Sequence, residues 1–337
     1  MKLKRLTALL LSVMLVLSLA ACGGGKDAKD DSADGDLSGK EIIIGNITPV
    51  TGAQAAYGLA ITNSIQLAID EINAAGGILG ATVKLSTKDD QGTPAEAVSG
   101  FNSLLSEGAA AIIGATLSSC TSAITSLADD EGIVLVTPSS TADSITTTDD
   151  YVFRSCFKDS FQGEMVAAYA KDQGWTKAAV LYATGDTYSS GLHDSFVKAA
   201  EKYGIEIVCE QSSSDTGAVD FSSQLATIAA SGADMLFAPY YYDAVGPKII
   251  PQAREAGFKG AIMGCDGFDG TQDYTTGDLS AYENVYFTNH YSPEDSSEIV
   301  QSYVKNYTEK YGSESMNALG ALAYDAMYMV CLLYTSP

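Results

Sequence analysis

The apolar residues of this chain switch repeatedly between two periods. Short β-branched runs lead into segments where apolar positions recur every three or four residues, and few folds accommodate that rhythm. Glu41 to Gly45 is strand-like, a glycine-rich loop follows, and Ile61, Ile65, Ile69 and Ile72 then fall at helical spacing. Gly76 and Gly77 stop that helix, and Thr82 to Thr87 alternates as a strand does. Thr93 caps a second helix with Pro94 in its first turn; Val98, Phe101 and Leu105 form its inner face, and it ends near Gly108. Ala110 to Gly114 reads as a buried strand, Ser118 to Glu131 as one helix and Ile133 to Thr137 as another strand.

After an irregular stretch from Pro138 to Asp150 and a connecting strand at Tyr151 to Arg154, the rhythm resumes. Helices are expected at 161–173, 191–203, 221–230 and 245–256, and strands at 178–182, 205–209, 234–238 and 261–264. Helices from about Ser296 to Tyr311 and from Asn317 onward close the pattern, which runs to Pro337 without a C-cap; this predicts a natural C-terminus beyond the last residue. Strands alternating with helices predict an α/β protein of parallel sheets covered on both faces. Two such series, divided near residues 154–158, predict two lobes.

Composition narrows the function. With 46% apolar and 18% charged residues the chain can bury a core, and its formal charge of -23 opposes phosphate backbones. Nucleic acid is therefore excluded as an expected partner. The start of the chain is an address: Lys2, Lys4 and Arg5 precede an uncharged apolar run, Leu6 to Ala21, shorter than the ~20 residues a spanning helix needs. Leu19-Ala20-Ala21-Cys22 resembles the lipobox of bacterial lipoproteins, which implies a signal peptide over 1–21 and lipidation of Cys22. Residues 22–40, polar and rich in Gly, Ser and Asp, are expected to form a flexible tether. Cys120, Cys156, Cys209, Cys265 and Cys331 form no CxxC pair and suggest isolated buried thiols.

In open parallel sheets, ligands bind beyond the carboxyl ends of the strands. The loops at those ends carry Ala115 to Thr121 and Pro138 to Thr141, rich in hydroxyls, which equally suit helix capping. In the second series they carry Asp186-Thr187-Tyr188, Tyr240 to Asp243 and Cys265-Asp266-Gly267, where an acid among aromatics suits a cation or a turn. Together the two sets select a zwitterion. Nothing in the chain matches a GxSxG elbow, an HExxH helix, a Walker loop or an EF-hand, so an enzyme, a metal and a cofactor are not expected; His193 and His290 are expected at the surface.

These features resemble the type I periplasmic solute-binding proteins of ABC importers, in the branched-chain amino acid group. The likeness rests on Ile44-Gly45, Thr51-Gly52, Tyr57-Gly58, the run Ala68 to Gly80, Lys88-Asp89-Asp90, Ile113-Gly114, Glu131-Gly132-Ile133, Thr137-Pro138, Arg154 and Ala253 to Gly257. It implies two lobes, 41–156 plus about 290–337 and 157–289, hinged by crossover strands. It also implies ligand contacts. Ser118, with the backbone of Thr116, would take the ligand carboxylate, and Ser139 and Thr141 would touch carboxylate and ammonium. Tyr188 and Tyr241 would flank the ligand, with Tyr240 or Tyr242 replacing the latter if the register slips. Asp266 would pair with the ammonium, and Tyr57 and Leu319 would line the side-chain pocket. A disulfide found in some members is absent, since one of its positions is Gly92.

The implied protein is a monomeric, lipid-anchored, extracytoplasmic capturer of an amino acid, aliphatic first, that delivers to a membrane permease. A sensing module of the same fold, or a binder of amides, urea or other small carboxylates, is the alternative.

Overall fold

The computed structural model describes residues 36–147 and 150–335; the leader, Cys22 and most of the tether lie outside them. Strands β1 (Glu41–Thr48), β2 (Thr82–Asp89), β3 (Ala111–Ile113), β4 (Val134–Thr137) and β5 (Val152–Arg154) form one sheet, all parallel, in the order β2-β1-β3-β4-β5. Strands β6 (Lys177–Ala183), β7 (Glu206–Ser213), β8 (Met235–Phe237), β9 (Ala261–Gly264) and β10 (Val285–Phe287) form a second parallel sheet, ordered β10-β9-β8-β6-β7. Two parallel five-stranded sheets flanked by helices are what the alternation predicts.

Helices α1 (Ala55–Ala74) and α2 (Pro94–Glu107) cross between strands of the first sheet. The start of α2 follows its sequence: the Thr93 hydroxyl accepts the Glu96 N–H, Pro94 opens the first turn, and Gly108 ends the helix in the left-handed region at φ 77°. Its Phe101 and Leu104 are buried against the sheet with Ile44, Ile47 and Ile112. Tyr57 is held close to the sheet because the next residue is Gly58, where a Cβ would come within 1.9 Å of the Pro49 carbonyl.

Two local expectations are corrected. The single helix expected from Ser118 to Glu131 is two, α3 (Ser118–Ser122) and α4 (Thr125–Glu131). The Thr121 hydroxyl turns back on the Ala115 and Leu117 carbonyls and pairs with Ser140, tying this turn to the neighbouring loop instead of the next helical turn. Strand β10 was not expected. Its three residues are too few to show a period, and pairing with β9 alone defines it.

The chain passes from the first sheet to the second after β5, entering α5 (Asp159–Asp172), and the second sheet is then covered by α6 (Thr187–Tyr203), α7 (Ser222–Ala230) and the segment α8 (Tyr242–Ala244), a π turn (Val245–Ile249) and α9 (Ile250–Glu255). It returns after β10 through Thr288 to Ser297 into α10 (Glu298–Tyr311) and α11 (Ala318–Thr335). Helix α11 is long and apolar enough to span a membrane, but Leu319, Ala323, Ala326, Met327 and Val330 are buried in the protein core. Tyr324 and Tyr328 both donate hydroxyls to Glu71, and so bolt α11 to α1. The five cysteines described are free; Cys120, Cys156 and Cys265 are buried, and Cys209 and Cys331 half-buried.

Candidate functional site

Parallel strands deliver their following loops to one edge, and here the carboxyl ends of both sheets point toward a common gap. A narrow cavity of about 10 Å³ lies there. From the first sheet it is lined by Thr116, Leu117 and Ser118 after β3, by Ser139 after β4, by Tyr57 of α1 and by Leu319 of α11. From the second come Tyr188 of α6, Tyr241 after β8, and Asp266 and Gly267 after β9. Eight of the residues singled out from the sequence thus converge. The ninth, Thr141, is fully buried beside the cavity lining; its carbonyl accepts the Asp159 N–H at 2.9 Å.

On the first wall, polar groups are held by one another. The Ser139 hydroxyl donates to the Thr116 carbonyl at 2.8 Å, and the Thr116 hydroxyl pairs with that of Thr48 at 2.7 Å. Ser118 begins α3, where backbone amides lack intrahelical acceptors, and its hydroxyl accepts only the Ala142 N–H, at 3.4 Å. This wall offers donors to an anionic group.

The opposite wall is acidic. Asp266 Oδ1 accepts from Gln162 Nε2 at 2.8 Å and from the Tyr188 hydroxyl at 3.1 Å, and Oδ2 lies 3.3 Å from His290 Nε2. Glycine is required next in the chain: a Cβ on Gly267 would meet the Tyr188 hydroxyl at 2.7 Å and the Tyr240 carbonyl at 2.8 Å. Tyr188 and Tyr241 stack, with centroids 5.0 Å apart. Of the three neighbouring tyrosines Tyr241 lines the cavity, while Tyr240 is bonded to Ser213 and Tyr242 to Ala53.

Three acids beyond Asp266 surround this wall. Burial pushes Asp159 well above the usual carboxylate range, and the charge of Asp266 adds to the effect. Thr141 is the polar group beside Asp159, yet neither side chain completes a hydrogen bond. Burial likewise raises Asp186, which caps α6 through the Ser189 N–H, and Asp269, which accepts the Ala318 N–H. Among the described residues none of these three forms an ion pair. The nearby Arg154 is occupied by the Ser140 and Ala142 carbonyls and the Thr146 hydroxyl. Carboxylates buried without a cation suit a positively charged group arriving from outside.

Sequence reasoning named Leu117 and Gly267 only as members of candidate loops, and gave no site role to Asp159, Gln162 or His290. The spacing of Asp159 and Gln162, one helical turn apart on a buried face, was a readable signal; His290 left none. Surface placement of both histidines is corrected. The His290 side chain is 1% exposed, and His193, 12% exposed, stacks on Tyr182 at 3.8 Å between Asp194 and Glu210. Each packs against tertiary neighbours that no local pattern announces. Among the described residues no group of three His, Cys, Asp or Glu could hold a metal ion.

Comparison with known proteins identifies the family and the fold. A family model described as periplasmic binding protein matches residues 41–332. The Leu/Ile/Val-binding protein homolog 3 of Brucella melitensis is 32% identical over 251 residues, 74% of this chain and 67% of that protein. Among solved structures, the branched-chain amino acid transporter substrate-binding protein LivJ of Streptococcus pneumoniae, in complex with isoleucine, is 32% identical with a TM-score of 0.78, over 87% of this chain and 83% of that one. The leucine-binding protein LivK of Thermotoga maritima is 32% identical with a TM-score of 0.79, over 86% of this chain and 81% of its own.

Proposed function

From the premise that this chain belongs to the periplasmic binding protein family, we propose that it captures a branched-chain or other aliphatic amino acid outside the cytoplasm and hands it unchanged to an ABC permease. The observation that carries this reading is that Ser118 and Asp266 line one cavity from opposite sheets. The relatives named for leucine, isoleucine and valine support the ligand class.

In this mechanism Ser118, Ser139 and the Thr116 loop receive the ligand carboxylate. Asp266 receives its ammonium, with Asp159 and Thr141 completing the acidic side. Tyr188 and Tyr241 present their rings to the ligand backbone, and Tyr57, Leu117 and Leu319 enclose the side chain. The lobes, 41–156 with about 290–337 and 157–289, close as a hinge, and ligand touching both walls favours the closed state. Micromolar retention needs about 8 kcal/mol net. Charge-assisted hydrogen bonds in a water-excluding gap are the proposed source. A diacylglycerol on Cys22 would anchor the monomer at the membrane surface beside its permease.

Calorimetric titration against the twenty amino acids tests the reading. Saturable binding of leucine, isoleucine or valine at micromolar or lower Kd supports it. Binding of none of them, with tight binding of a ligand lacking an ammonium, overturns it.

A further inference from the structure

We propose that His290 is a positioning residue that holds the Asp266 carboxylate ready for the ligand ammonium, tying that readiness to both connections between the sheets; the inference rests on the ammonium assignment made above. The imidazole is buried. Its Nδ1 lies 3.4 Å from the backbone N–H of Phe157, which can only donate, so Nδ1 is the acceptor and the neutral ring carries its proton on Nε2. That N–H points at Asp266 Oδ2, 3.3 Å away. The Phe157 ring packs on the imidazole at 5.0 Å and fixes its plane.

The count of acceptor sites gives the consequence. A carboxylate offers roughly four lone-pair sites. Gln162 and Tyr188 take those on Oδ1, and His290 takes one on Oδ2, so a single site on Oδ2 is left for one ammonium N–H. With all three donors in place the carboxylate is held from both oxygens and cannot rotate. Phe157 belongs to the connection that follows β5, and His290 to the one that follows β10. One imidazole therefore links the two crossing segments to the acid, and relative motion of the segments changes the donor that Asp266 receives.

The test uses the protein with two variants and two probes, L-leucine and 4-methylpentanoate, which is leucine without its ammonium. His290→Phe keeps the ring packing and removes both nitrogens; His290→Gln keeps a donor near the Nε2 position. Leucine affinity is expected to fall roughly 10- to 30-fold in His290→Phe, as for loss of a hydrogen bond to a charged group. The 4-methylpentanoate affinity should move less than about threefold, and His290→Gln should recover leucine affinity to within about fivefold of the parent. Should His290→Phe fail to fold by circular dichroism, His290→Met replaces it; should the analogue bind too weakly to titrate, recovery by Gln decides. Unchanged leucine affinity in His290→Phe, an equal loss for both probes, or no recovery in His290→Gln overturns the positioning role alone. Absence of leucine binding by the parent protein overturns the ammonium assignment as well.

Discussion

The Tyr57 hydroxyl, carried by a helix of the first sheet, donates to the carbonyl of Gly267, which follows a strand of the second, at 2.6 Å. This bond spans the gap beside the candidate site and joins two residues that both line the cavity. Three further bonds cross nearby, from Gln54 Nε2 to Asp243 at 2.9 Å, from the Tyr242 hydroxyl to the Ala53 carbonyl at 2.9 Å and from the Ala56 N–H to the Tyr242 hydroxyl at 3.2 Å. Because Tyr57 is fully buried, its hydroxyl has no water to replace the lost partner when the gap is shut.

Tyr57→Phe should therefore weaken amino-acid binding by about 0.5–1.5 kcal/mol, or roughly 2- to 12-fold in Kd, by destabilising the closed arrangement. Calorimetry with leucine measures it. A Kd equal to that of the parent protein would remove the bond from any account of closure.

Asp266→Ala removes the acid on which Gln162, Tyr188 and His290 converge. Leucine binding should fall by at least ~100-fold, since a charged hydrogen-bonded partner is lost from a buried site. Circular dichroism should be unchanged. Retained affinity refutes the ammonium contact.

Asp159→Asn separates stability from function. The acid is 1% exposed, makes no hydrogen bond and is held well above the usual carboxylate range by burial. Replacing it with a neutral amide of the same shape should raise the Tm of the ligand-free protein while lowering leucine affinity. A thermal melt and a titration read the two effects; a Tm that falls together with unchanged affinity contradicts both assignments.

Asp90 provides a pH dependence away from the site. Burial pushes it from 3.8 up to about 6, its Oδ1 accepts the Gly92 N–H, and its Oδ2 has no partner. A raised acid means that the unfolded chain gives up this proton first, so its stability contribution is intact below pH 3.8 and is lost as pH rises to about 6. Asp90→Asn should recover up to ~3 kcal/mol above that window and nothing below it. Urea denaturation at pH 8 and near pH 3.5 measures the difference; an equal effect at both values would show that the charge is not the cause.

The alternation of strand and helix, the stop at Gly108 and the cap at Thr93 were legible in the residues, because backbone conformation and one-sided burial are set over a few neighbours at a time. That was enough to predict two parallel sheets and to direct attention to the loops after their strands, and the family resemblance gave those loops residue-level roles. Helix ends near Thr121 were not legible, since the hydroxyl that interrupts the helix is answered by Ser140 from another loop. Nor was β10, whose identity comes from its neighbour β9.

Tertiary structure alone decided that Ser118 and Asp266 share a cavity, that Tyr241 and not its neighbours lines it, and that Gln162 and His290 brace the acid. These pairings join residues more than a hundred positions apart or on different connections. Periodicity reports which face of an element is buried; it carries no information on which distant element will be packed against that face, because that is set by how the two sheets close on each other.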